Sequence, residues 1–328
     1  MSITALDTYL RPLKGLFDEE GISEISINKP GEAWIEKFGD MHHRALPAFD
    51  LNHLMSMGRL VAQSTEQTIS EEKPLLSATL PDGYRIQIVF PPACETGKVA
   101  MSIRKQTILN FDLEQYEAIG AFQGTMVRQQ DNAHDKELRE LLDAGAIREF
   151  ITKAVQFKKN IIISGGTSTG KTTFLNAVLK KIPAGERVIT CEDAREVMVD
   201  HLPNRVHLLA SRGDQGRSKV TMQDLIEACL RLRPDRIMVG EIRGKEAFSF
   251  LRAINTGHPG SITTIHADSP KLAYEQLILM VMQAGLGITR EQIKEYVEAV
   301  VNVVIQLKRG EKGKRFVSEI LFKDQIYS

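Results

Sequence analysis

The sequence predicts an α/β protein in two parts. A small α+β domain with a mostly antiparallel sheet comes first, and a larger domain with a mostly parallel sheet covered by helices on both faces follows. Three observations predict it. Residues 1–112 carry short alternating strands joined by turn residues. Residues 147–328 alternate helical stretches with short apolar runs, the pattern of parallel strands joined by crossover helices. Between them, residues 113–146 lose apolar content, and Gln123–Asp135 is polar and turn-rich, which predicts a linker.

The elements follow in order. Leu6, Tyr9, Leu10, Leu13, Leu16 and Phe17 recur at helical spacing, so residues 4–17 are expected as a helix packed on its own domain. A membrane-surface helix is the alternative, though the polar face carries few basic residues. Ile22–Asn28 and Ala33–Lys37 alternate as strands around Lys29-Pro-Gly-Glu32. Asp50 is placed to cap a helix through Leu51, Leu54, Met55 and Leu60. Leu75–Leu80 and Tyr84–Phe90 flank Pro81-Asp-Gly83, a hairpin signal, and Val99–Arg104 is a further strand. In the second part Ile147, Phe150, Ile151, Ala154 and Val155 form one helical face. The expected strands are Asn160–Ser164, Arg187–Thr190, Val206–Leu209, Arg236–Val239, Gly260–Thr264 and Ala299–Leu307.

Composition narrows the function. The apolar fraction of 42% and charged fraction of 26% are those of a globular chain, and 42 basic residues balance 42 acidic ones. That balance gives no global pull towards nucleic acid or anionic lipid. No apolar run reaches the length of a membrane span, and no signal peptide is expected at the start. Cys94, Cys191 and Cys229 lack metal or disulfide spacing and read as reduced, buried thiols of a cytosolic protein.

Chemistry enters at Gly165-Gly-Thr-Ser-Thr-Gly-Lys-Thr172, which reads G-x-x-x-x-G-K-T between an apolar strand and the helical sequence Thr173–Lys181. Glycines let the backbone curl so that successive N–H groups face phosphate oxygens, and the helix adds the positive end of its dipole. Gly165, Gly166, Thr167, Ser168, Thr169, Gly170, Lys171, Thr172 and Thr173 are therefore candidate nucleotide ligands. Lys171 is expected on the terminal phosphates and Thr172 on Mg²⁺.

Three further stretches supply candidate catalytic groups. Val188–Asp193 is a strand ending in two carboxylates, and Glu192 is a candidate proton acceptor or water-mediated Mg²⁺ holder. Arg236–Val239 ends in Gly240-Glu241, with glycine where the second nucleotide motif commonly has Asp, so the metal-side work falls to Glu241. Thr256–Ala267 places His258 and His266 around a Gly-bearing loop and a Thr-rich strand. Their separation is not a zinc spacing, and a γ-phosphate sensor fits better.

Taken in order, the glycine loop, the Glu192-Asp193 box, Arg233-Pro-Asp-x₄-Gly-Glu241-x-Arg243 and Gly257-His-x-Gly260…Thr264-x-His-Ala267 resemble the secretion ATPase superfamily. In that group Gly-Glu at the second motif is ordinary. Ile22–Asn28, Asp82–Ile88 and Ser102–Arg104 resemble its N-terminal domain, so the resemblance spans the chain. It is most similar to the hexameric traffic ATPases of type IV secretion and conjugation. The resemblance implies a RecA-like P-loop domain, ATP and Mg²⁺ as ligands, and Lys171, Glu192, Glu241, His258 and His266 as the catalytic set. Arg104, and with it Arg85, would approach the nucleotide from the N-terminal domain. Arg231, Arg233 and Arg243 are expected as structural or inter-subunit charges. It further implies a homohexameric ring, peripheral contact with the cytoplasmic side of an inner membrane, and inner-membrane secretion components and a coupling ATPase as partners. The rival readings are a type II or pilus motor, a nucleic-acid motor and a non-catalytic ATP-binding assembly factor. The even charge balance counts against direct nucleic-acid binding.

Overall fold

The computed structural model describes residues 5–105, 112–123, 125, 133–211 and 217–323. Among them the strands form a six-stranded and a seven-stranded sheet. The first contains β1 (Ile22–Ile27), β2 (Glu32–Lys37), β3 (Asp40–Ala45), β4 (Leu75–Thr79), β5 (Arg85–Val89) and β6 (Ala100–Arg104). Their order is β3-β2-β1-β6-β5-β4, and every pairing is antiparallel. Helices α1 (Ala5–Asp18) and α2 (Leu51–Ser64) cover this sheet. Leu6, Leu13 and Phe17 of α1 meet Leu54, Met57 and Val61 of α2 and Ile25, Ile27 and Ile88 of the sheet. Alternate strand residues face that core, as the two-residue pleat requires. Asp50 caps α2 as expected, accepting from the His53 N–H at 2.7 Å.

The chain between the sheets carries α3 (Leu113–Ala118) and α4 (Ala133–Asp143). Much of the Gln123–Asp135 stretch expected as linker lies outside the described residues. The later half of the 113–146 range differs from an open linker. Leu138 is fully buried, Asp135 pairs with Lys159, and α4 lies on α5 (Ile147–Gln156). Spaced leucines amid charges make a one-sided helix despite the low apolar content.

The second sheet contains β7 (Ile161–Gly165), β8 (Val188–Glu192), β9 (Arg205–Leu209), β10 (Arg236–Val239), β11 (Ile262–Ile265), β12 (Val303–Arg309) and β13 (Arg315–Phe322). The order is β13-β12-β7-β11-β10-β8-β9, parallel throughout except for the terminal hairpin β12–β13. Its helices lie on both faces. On one, α6 (Lys171–Leu179) and α5 pack on Ile161, Ile163, Val188 and Met238. On the other, α7 (Met222–Cys229), α8 (Glu246–Asn255), α9 (Pro270–Met282) and α10 (Arg290–Val300) pack on Ile162, Ile189, Ile237 and Val304. The apolar runs of the sequence are thus strands buried on both sides. A parallel sheet gathers the carboxyl ends of its strands at one edge, where ligands bind. Among the described residues no helix is long and apolar enough to cross a membrane.

Candidate nucleotide site

The glycine loop leaves β7 at its carboxyl end and enters α6. Ser168 has φ +61° and Gly170 φ +87°, left-handed geometry that turns the chain back over the helix start. At Gly165 the need for glycine is steric. A Cβ there would lie 2.5 Å from Thr169 Oγ1 and 2.9 Å from the Leu307 carbonyl of β12. Thr169 Oγ1 in turn donates to the Gly166 carbonyl at 2.9 Å, tying the loop to itself. The result is a pocket of about 740 Å³ lined by Thr167–Thr173, Glu192, Glu241, Thr264 and His266, among others.

Lys171 stands at the first residue of α6 with its ammonium folded inward, 9% exposed. Nζ donates to the carbonyls of Gly165 (2.9 Å) and Gly166 (3.2 Å), and His266 ring nitrogens lie at 3.3 Å. Burial pulls its pKa down, and Glu241 partly opposes the shift. Neutral carbonyls compensate a buried ammonium weakly, so an anionic oxygen in the pocket would be a better partner.

Glu241 follows β10 and faces the same pocket. Arg243 Nη2 donates to its Oε2 at 2.6 Å. His266 Nε2 lies 2.8 Å from Oε1, but off the hydrogen-bond direction, so Oε1 is buried without an aligned donor among the described residues. A pocket-lining carboxylate with one orphan oxygen is a suitable acceptor for a water proton or a hydrated cation. Gly240 also has a local reason. A Cβ at that position would sit 3.3 Å from Glu192 Cγ, closer than is comfortable, so the side chain common there would press on the neighbouring acid.

Glu192 is 2% exposed, and its carboxylate is fully engaged. Oε1 accepts the backbone N–H groups of Glu196 (2.8 Å) and Val197 (2.7 Å), and Oε2 accepts the Thr190 hydroxyl at 3.0 Å. Glu192, expected as a proton acceptor or water-mediated Mg²⁺ holder, is turned here to the loop backbone and to Thr190. With three donors on it, the acid holds the loop that follows β8.

The other predicted residues do not all converge. His258 stands before β11, at the opposite end of that strand from His266, and the four residues of the strand alone span about 13 Å. Its Nδ1–H donates to the Pro234 carbonyl at 2.8 Å, and burial lowers its pKa. Arg85 and Arg104 line a separate cavity with Thr79, Gln87 and Arg231, and Arg104 Nε donates to Glu24 at 2.9 Å. Neither lines the glycine-loop pocket of its own chain. Several residues that do line it lay outside the expected set, three of them with polar contacts to the site. Arg243 bridges Glu241 and Asp193 (2.9 Å), Thr264 Oγ1 donates to the Gly240 carbonyl (2.8 Å), and Arg315 Nε donates to the Ser168 carbonyl (3.3 Å). Arg315 comes from the terminal hairpin, and no motif marks it. The repeated Thr-Thr of β11 was a signal for Thr264.

The pocket fits a nucleotide in its donors, its size and its unsatisfied groups. Among the described residues no group of three or more His, Cys, Asp or Glu side chains is placed to hold a metal. A divalent ion here would draw most of its ligands from phosphate and water, as Mg²⁺ at nucleotides does.

Comparison with known proteins agrees with the geometry. A VirB11 type IV secretion system protein of Brucella suis is 37% identical over 325 residues, covering 97% of this chain and 90% of that protein. A VirB11 protein of Bartonella henselae is 39% identical over 329 residues, covering 96% and 92%. The crystal structure of the Brucella suis VirB11 ATPase, in complex with sulphate, superposes with a TM-score of 0.92, covering 97% of this chain and 98% of that one. The sheet order and the glycine loop are thus those of a RecA-like P-loop fold. Residues 9–321 match the model of the type II/IV secretion system protein family, and the chain belongs to that family.

Proposed function

We propose that this chain is an ATP hydrolase that powers a type IV secretion system. One observation carries the catalytic part. His266 stands between Lys171, at 3.3 Å, and Glu241, at 2.8 Å, at the mouth of a glycine loop, and all three line one pocket. The N–H groups of residues 166–172 and the α6 dipole take the phosphates. Lys171 releases the loop carbonyls and meets the phosphate oxygens, and Arg243 and Arg315 add charge at the rim. Thr172 and, through a water, Glu241 would hold Mg²⁺, which would neutralise charge on the leaving group. Glu241 Oε1 orients the attacking water. His266, between Lys171 and Glu241, reports the terminal phosphate.

The wider reading rests on the family and the VirB11 likeness. The unit is a homohexamer, with the division 1–112, 113–146 and 147–328 separating two lobes that move as a hinge on hydrolysis. It acts on the cytoplasmic face of an inner membrane beside the coupling ATPase and other secretion components. ATP turnover and nucleotide affinity test the core. Lys171→Ala is expected to lose at least about 10²-fold in kcat, and Glu241→Gln a similar factor with nucleotide binding retained. Wild-type turnover in either variant would overturn the assignment.

A further inference from the structure

A polar chain, buried from Glu192 to His207 and half-exposed at Arg195, runs from Glu192 to the first sheet. Thr190, Glu192 and His207 share one face of the β8–β9 pair. Thr190 and His207 are register partners, and Glu192 is two residues along from Thr190. Thr190 Oγ1 donates to Glu192 Oε2 at 3.0 Å, and His207 Nδ1 lies 2.9 Å from Thr190 Oγ1. On the far side of the imidazole, Arg195 Nη2 lies 3.4 Å from His207 Nε2. Arg195 also reaches Asp200 at 3.1 Å and Glu95 at 2.6 Å, and Glu95 pairs with Lys98 as well.

The direction of each bond follows from what each group can do. The threonine has one proton, and it is given to Glu192, so its oxygen must accept from histidine. Arginine only donates, so Nε2 must accept. Both ends fix the same neutral tautomer, protonated on Nδ1. Thr190, Glu192 and His207 are each 2% exposed or less. Buried polar groups in a core sheet destabilise it unless they are paired in this way. Glu95 lies between β5 and β6, in the stretch where Cys94 bridges Leu208 of β9 and the Leu209 N–H donates to Ala93 at 2.9 Å. The chain therefore starts on the first sheet and ends on the carboxylate that holds the Glu196 and Val197 N–H groups at the pocket wall.

We propose that Thr190 and His207 are positioning residues for ATP hydrolysis. They hold Glu192 in the orientation that pins the 193–197 loop against the nucleotide pocket, and Arg195–Glu95 makes that hold depend on the seating of the first sheet. The inference rests on the ATPase reading for its catalytic consequence, but not for its structural one. None of these residues touches the reacting atoms, and all act through Glu192.

Amide hydrogen exchange over residues 193–199, measured on the full chain without nucleotide, tests the structural claim. Thr190→Val keeps the shape and removes the hydroxyl, and is expected to speed exchange of the Glu196 and Val197 amides about tenfold, the worth of one buried hydrogen bond. Thr190→Ser should restore wild-type protection. His207→Asn, which can donate from the Nδ1 position, should hold the loop better than His207→Leu. Glu95→Gln should speed the same amides about threefold while leaving β7 and β11 protected. Steady-state kinetics adds the catalytic claim. Thr190→Val should lower kcat about tenfold with KM for ATP changed by less than about threefold, and Thr190→Ser should recover it. Unchanged loop exchange in Thr190→Val, or a serine variant as impaired as the valine one, overturns the proposal. An inactive wild type, or a fully active Lys171→Ala, overturns the ATPase reading instead, and the exchange comparison still decides this one.

Discussion

At the scale of single residues, side chains near the pocket are set apart by how much of their bonding capacity is already used. Glu192 accepts three hydrogen bonds, whereas Glu241 keeps one oxygen without an aligned donor. Both acids end strands beside the glycine loop, and the sequence alone could not rank them, because the donors to Glu192 are backbone groups four and five residues on. The three cysteines are buried, and Cys191 Sγ lies 3.4 Å from Cys229 Sγ. Burial pushes the Cys94 thiol up to about 12, and contact with Cys229 together with burial pushes the Cys191 thiol up. The reactive species is the thiolate, so Cys94 at pH 8 carries about a thousandfold less of it than a free thiol. Native protein should therefore resist a disulfide reagent at pH 8, and a denaturant should release all 3 thiols. Rapid native labelling would contradict the burial. The folded state favours the neutral thiol, so Cys94 contributes fully below its ordinary value of 9.0 and loses that contribution as pH rises towards 12.

At the scale of elements, the long apolar strands and the glycine loop were legible because their patterns are local. The polar edge strand β3, whose residues Asp40–Ala45 are largely exposed, was not. It is a strand by pairing with β2, from Glu32↔Ala45 to Lys37↔Asp40, and not by alternation. The two histidines show the opposite error. Nearness in sequence suggested one site, but they flank β11, and a strand puts its two ends at opposite edges of the sheet. The Gly240 position yields a prediction at this scale. Gly240→Asp recreates the common form of the motif, so a simple metal-ligand view predicts equal or better activity. Here β8 and β10 are adjacent, and the added carbons crowd Glu192, already 3.3 Å from a bare Cβ. Overpacking of this kind costs about 1–3 kcal/mol of folding stability, and a displaced Glu192 releases the loop at the pocket wall, so kcat is expected to fall. Activity at or above wild type would show that Glu192 has room to yield.

At the scale of the whole molecule, the two sheets meet through polar contacts that composition could not reveal. Arg187 is fully buried. Its Nη1 donates to Asn28 (2.6 Å) at the end of β1 and to Asn204 (2.5 Å) just before β9, and its Nε donates to the Leu232 carbonyl at 3.0 Å. The Asn28 amide also donates to Asn204 at 2.9 Å. A second tie joins Arg233 Nε to Glu36 at 2.8 Å, with Arg233 held at φ +53°. Burial pulls Arg187 down to about 10, which leaves it protonated at neutral pH. Its charge is compensated by two asparagine carbonyls, one from each sheet, by the Leu232 carbonyl and by the nearby charges of Glu24 and Asp235, and separation of the sheets would remove the first sheet's part of that compensation. Asn28→Ala removes the first sheet's carbonyl from that compensation and leaves an arginine N–H unpaired, a loss of about 1–3 kcal/mol. If this junction couples the lobes, wild type should melt in one transition. Asn28→Ala should then melt the first lobe separately and earlier, by about 4–8 °C for each kcal/mol lost in a lobe of that size. Differential scanning calorimetry on the full chain reads this directly. A single transition at the wild-type temperature would mean that the apolar contacts of Val89, Ala93 and Ala100 with the second core hold the lobes together without the arginine.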